Sequence, residues 1–138
     1  MISALSDLDC VFVNLQYGDA DQEIDGAADL LEQIDFYRDD AVQQSGDFDP
    51  IAAQLCALDG VVSISTTIVH MAASLEVPAT VLLPAKFSRN LFWYWSHCSG
   101  ASSQVYPSVN RLYCETEGDW TLPLEQARTW VEGLEKRT

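Results

Sequence analysis

Apolar and polar positions along the chain alternate between runs that suit buried strands and spacings that suit helices. Cys10-Val-Phe-Val-Asn-Leu15 is short, apolar and β-branched, and predicts a buried strand. Ile24, Ala27, Ala28 and Leu31 then fall at i, i+3, i+4 and i+7, one face of a helix. Ile34–Tyr37 predicts a short strand. Asp49 as a cap and Pro50 in a first turn start a second helix, with Ile51, Leu55 and Leu58 on its inner face and Gly60 at its end.

The next segment carries the strongest pattern. Val61-Val-Ser-Ile64 reads as a strand, and Ser65-Thr-Thr67 supplies hydroxyl caps. Ile68, Met71, Ala72 and Leu75 form a helical stripe that Val77-Pro78 ends. Ala79-Thr-Val-Leu-Leu83 is a fully apolar strand stopped by Pro84. Strand, helix and strand in so few residues make a βαβ crossover, which is right-handed and joins parallel strands. An aromatic and polar loop, Phe87 to Gly100, follows. Val109–Cys114 predicts the last strand, and Ala127, Trp130, Val131 and Leu134 the inner face of a C-terminal helix. The order predicts an α/β fold, a Rossmann-like doubly wound parallel sheet formed as a single domain over residues 1–138.

Composition narrows the partners. The net charge is −14, and between Met1 and Ala85 Arg38 is the sole lysine or arginine. Such a surface repels nucleic acid and anionic membranes, so an anionic ligand must bind where local donors outweigh the global field. No apolar run approaches the roughly 20 residues that span a bilayer, and Met1–Asp9 lacks the pattern of a secretory signal. Cys10, Cys56, Cys98 and Cys114 show no CxxC pairing and read as small buried hydrophobes in a reducing compartment. A cytoplasmic protein is expected, with no metal and no resident cofactor.

In an open parallel sheet, ligands bind beyond the carboxyl ends of the strands. Three loops are expected at that edge: Gln16–Asp19, Ser65–Thr67 and Ala85–Arg89. At Ser65–Thr67 a helix N-terminus offers unpaired N–H groups and partial positive charge, and three hydroxyls add donors. His70 lies one turn beyond Thr66 and Thr67. Lys86 and Arg89, rare cations in this chain, follow the next strand and could complete a diphosphate site. The same residues also read as ordinary caps, a satisfied surface or core histidine and cations lying over Phe87 and Phe92. Phe92-Trp-Tyr-Trp95 reads as core or lid. His97-Cys98 is a poor catalytic dyad, and no GxGxxG or Walker motif occurs.

Ile64-Ser-Thr-Thr-Ile-Val-His-Met-Ala-Ala-Ser-Leu-Glu-Val-Pro78 resembles the C-terminal domain signature of heptosyltransferase-like glycosyltransferases of family 9, especially their relatives fused to tetratricopeptide repeats. Phe12–Gly18, Asp47–Asp49 with Leu58-Asp59, Tyr106–Val109 and Gly118–Trp120 extend the likeness over nearly the whole chain. The resemblance implies the donor-binding half of a GT-B transferase, taking a nucleoside-diphosphate sugar without a metal. Thr66, Thr67 and their backbone amides would cradle the diphosphate. His70 would donate to a phosphate oxygen, and Lys86 or Arg89 would offset leaving-group charge. Gln16, Tyr17 and Gly18 would line the cleft beside Ser65. The acceptor half, and with it the catalytic base, would come from elsewhere, so a separate N-terminal half or a homodimer is the expected partner. A non-catalytic ligand-binding or interaction module on the same fold is the alternative.

The chain departs from that pattern at four places. Ser65 stands where an aspartate is common, and Ala73 and Glu76 replace common glycines; if Glu76 must adopt a left-handed backbone, strain of about 1 kcal/mol follows. Cys114-Glu115 replaces an Arg-Gln pair and removes one anion contact.

Overall fold

The computed structural model describes residues 2–16, 21–39, 41–42, 47–96 and 105–135. The chain forms two compact units, Met1–Gln54 and Leu55–Thr138. Among the described residues there are two small sheets, of two and three strands, in place of the one continuous sheet expected, and each strand pair there is parallel. The α/β class and parallel pairing expected from the pattern are present.

In the first unit, strand β1 (Val11–Val13) pairs with β2 (Asp35–Tyr37), Phe12 opposite Phe36. The helix predicted between them is two short ones, α1 (Asp21–Asp25) and α2 (Ala28–Leu31), interrupted at Gly26-Ala27. Gly26 donates its amide to Gln22, but glycine's backbone freedom weakens continuation of the helix. Helix α3 (Phe48–Cys56) starts two residues earlier than expected. Its cap is Asp47, whose Oδ1 accepts the Asp49 amide at 3.1 Å, and Asp49 and Pro50 occupy the first turn. Ile51 and Leu55 are buried, whereas Leu58 lies beyond the helix end.

The second unit orders its strands β3 (Val61–Ile64), β4 (Ala79–Leu83) and β5 (Val109–Tyr113), with β4 central and buried at every position. Helix α4 (Thr67–Ser74) makes the β3-to-β4 crossover, and α6 (Thr121–Glu132) packs on β4 and β5. Strand alternation sorts the side chains. Val62, Leu82 and Leu112 meet Ala127, Leu124 and Trp120 beneath α6. Val61, Ser63, Val81, Val109, Arg111 and Tyr113 share the opposite face by the strand register, and α4 packs on β3 and β4. The buried residues of α4 are Ile68, Val69, Ala72 and Ala73, so its inner face is rotated from the predicted stripe and leaves Met71 and Leu75 half-buried.

Two local features set this packing. Helix α4 ends in a Schellman arrangement: Val77 donates its amide to Ala72 and Glu76 donates to Ala73. Glu76 occupies the left-handed position at φ 57°, the condition under which its replacement of a glycine carries strain. Gly60, which lies beyond α3, serves a close approach. A Cβ there would stand 2.7 Å from Leu134 Cδ1 and 2.9 Å from Trp130 Cη2.

The aromatic loop after β4 contains one helical turn that the pattern did not reveal, α5 (Trp93–Ser96). Cys114 is buried, but Cys10 is half-buried and Cys56 exposed, so burial of the cysteines holds only in part. Among the described residues no helix is long and apolar enough to cross a membrane.

Candidate functional site

Two of the loops expected at a ligand edge follow the carboxyl ends of adjacent strands in the second unit. Ser65–Thr67 follows β3, and Ala85–Arg89 follows β4. Thr67 is the first residue of α4, and Thr66 is extended, with φ −125° and ψ 172°. Thr66 makes no side-chain cap bond to the first-turn amides. Its Oγ1 lies 3.2 Å from Ser63 Oγ instead. The Thr66 amide donates to the Ile64 carbonyl at 2.8 Å. The Thr66 N–H, expected to help cradle a diphosphate, is thus engaged within the turn, and its hydroxyl lies against Ser63. The Ser65 and Thr67 hydroxyls and the start of α4 are the donors this segment presents.

Helix α5 brings its anchor to the turn. Trp95 is fully buried, and its indole Nε1–H donates to Ser65 Oγ at 2.8 Å. His70 stacks on the Trp95 ring at 5.5 Å between centroids. Tyr94 meets His70 edge-on and Tyr106 at a tilt, each at 5.3 Å. Burial among these rings disfavours the imidazolium and holds His70 below the ordinary imidazole range. His70 is therefore a neutral, half-buried imidazole at neutral pH, able to donate one hydrogen bond.

Strand β5 completes the cluster with residues that sequence reasoning missed. The Trp95 carbonyl accepts from Tyr113 Oη at 2.5 Å and from Arg111 Nη1 at 3.0 Å. Arg111 Nη1 also donates to Tyr113 Oη at 3.1 Å, and Arg111 is only 4% exposed. Lys86 Nζ sits 4.9 Å from the centre of the Tyr113 ring, a cation–π distance. A signal for Arg111 existed. It is one of seven lysines and arginines, and it stands at an inward-facing position of an otherwise well-patterned strand. A buried arginine requires partners, which marks its surroundings as polar.

The remaining candidates separate from this cluster. Arg89 is exposed and stands outside the network. Beside it, Ser88 Oγ donates to Glu117 Oε1 at 2.9 Å, bringing a carboxylate to the same loop. Gln16 belongs to the first unit, where its Nε2 donates to Glu23 at 3.1 Å and its amide to Asn14 Oδ1. Tyr17, Gly18, His97 and Cys98 lie outside the described residues.

The arrangement gathers donors: the Ser65 and Thr67 hydroxyls, the His70 imidazole, the Lys86 ammonium and the start of α4. Comparison with known proteins gives one informative match. The chain is 30% identical over 110 residues to Protein FlbA of Caulobacter vibrioides, covering 80% of this chain but 17% of that protein. The chain thus spans about a sixth of the length of the curated relative it matches. No protein-family model matches. No solved structure matches.

Proposed function

We propose that the second unit binds the diphosphate of a nucleoside-diphosphate sugar, as the donor half of a GT-B glycosyltransferase of the heptosyltransferase-like type. The observation that carries this reading is the convergence at one sheet edge of the α4 start, Ser65, His70 and Lys86, linked through Trp95 and Tyr113. A helix start with hydroxyl donors suits phosphate oxygens, and a neighbouring cation offsets the charge that grows on the leaving diphosphate as the sugar departs. His70, neutral at pH 7, contributes as a donor rather than as a charge. The resemblance of Ile64–Pro78 to the family signature supports the same substrate class, and no metal is required by this donor set.

Transfer needs an acceptor and a base on an opposing wall. That wall is expected from another domain, a separate chain or a second copy. The engaged Thr66 amide and Ser65 in place of a family aspartate favour a second reading, a module that binds nucleotide without transferring sugar. A thermal-shift screen of nucleoside diphosphates and their sugars tests the shared claim. Stabilisation that rises with ligand concentration supports it, since ligand binding to the native state raises the melting point. A flat response across the panel contradicts both readings.

A further inference from the structure

The hydroxyl turn and the cation after β4, each legible in the sequence, are joined by Tyr113, which was not. Its ring lies beneath Lys86 Nζ at 4.9 Å. Its hydroxyl donates to the Trp95 carbonyl at 2.5 Å, and the Trp95 indole donates to Ser65 Oγ at 2.8 Å. We propose that Tyr113, held by Arg111, is a positioning residue that sets the Ser65 hydroxyl and the Lys86 ammonium for an anionic ligand; this rests on the diphosphate reading above.

Proton directions along the chain follow from the chemistry of the groups. Arg111 can only donate, so Tyr113 Oη accepts from it and gives its own proton to the Trp95 carbonyl. An indole N–H can only donate, so Ser65 Oγ accepts there and keeps its proton for another acceptor. Lys86 likewise offers only donors. The paired presentation suits phosphate oxygens and disfavours a ligand amine. Burial of Arg111 and Trp95 keeps water from replacing these bonds, so the orientation is held in a low-dielectric setting.

Two variants of the full chain separate the two arms. Tyr113→Phe keeps a ring under Lys86 and removes the hydroxyl, whereas Tyr113→Leu removes both. Calorimetric titration with inorganic pyrophosphate and with a nucleoside diphosphate should show Tyr113→Phe weakening affinity about two- to tenfold, and Tyr113→Leu more. In a Ser65→Ala background, Tyr113→Phe should cost nothing further, because the group it positions is gone. Wild-type affinity in Tyr113→Phe, or an undiminished loss in the Ser65→Ala background, overturns the proposal. A ligand-free readout keeps it distinct from the diphosphate reading. The Trp95 indole N–H should exchange slowly with solvent in the wild type and faster in Tyr113→Phe. If neither phosphate probe binds wild type, the diphosphate reading falls, while faster exchange sustains the positioning role and unchanged exchange overturns it.

Discussion

His70 is enclosed by Tyr94, Trp95 and Tyr106, and burial lowers its proton affinity relative to the unfolded chain. Because the unfolded state takes up the proton first, this histidine makes stability fall as pH drops through about 6.5 and below, until the folded state also protonates. Above that range its contribution is constant. The expected result is a larger loss of melting temperature between pH 7.5 and 5.5 in wild type than in His70→Phe, which keeps an aromatic ring without the titration. Equal losses in the two proteins contradict the packing described for His70. The stacked ring was not legible beforehand. Spacing placed His70 near the turn, but its contacts come from α5 and Tyr106, distant in sequence.

Elements were legible in proportion to how local their causes are. β3, the start of α4 and β4 lie where their patterns predicted, because β-branched runs, hydroxyl residues and Pro84 act within a few positions. The first-unit helix failed as a single element because its apolar spacing ignored Gly26, and α5 was hidden in an aromatic run without periodicity. The end of α4 allows a direct check. Glu76 is exposed at φ 57°, so Glu76→Gly removes left-handed strain without removing packing. The gain should be up to about 1 kcal/mol, a melting point higher by a few degrees. A lower melting point argues against the Schellman cap. Gly60→Ala should act oppositely. Its Cβ would meet Leu134 Cδ1 at 2.7 Å and the rigid Trp130 ring at 2.9 Å, so chemical denaturation should show a loss of about 1–3 kcal/mol. Unchanged stability would mean that the end of α6 yields freely.

For the whole molecule, charge and division matter most. A net charge of −14 opposes every phosphate, so the gathered donors must overcome a repulsive field. The sheet expected as one unit is two parallel sheets in two units, because no signal in the strand runs specifies which strand neighbours which. On the proposed reading, transfer needs acceptor-holding groups on an opposing wall, so the purified 138-residue chain is expected to bind nucleotide without transferring sugar. Measurable transfer by the purified chain, followed by product release from any nucleotide sugar and acceptor, contradicts that division of labour. The central claim is the diphosphate site, and calorimetric titration of wild type, His70→Ala, Lys86→Ala and the exposed-site control Cys56→Ala with a nucleoside diphosphate tests it most directly. The account predicts saturable binding that weakens about tenfold to a hundredfold in Lys86→Ala, less in His70→Ala, whose imidazole is neutral, and not at all in Cys56→Ala. No saturable binding to wild type, or binding of equal strength in all four proteins, contradicts it.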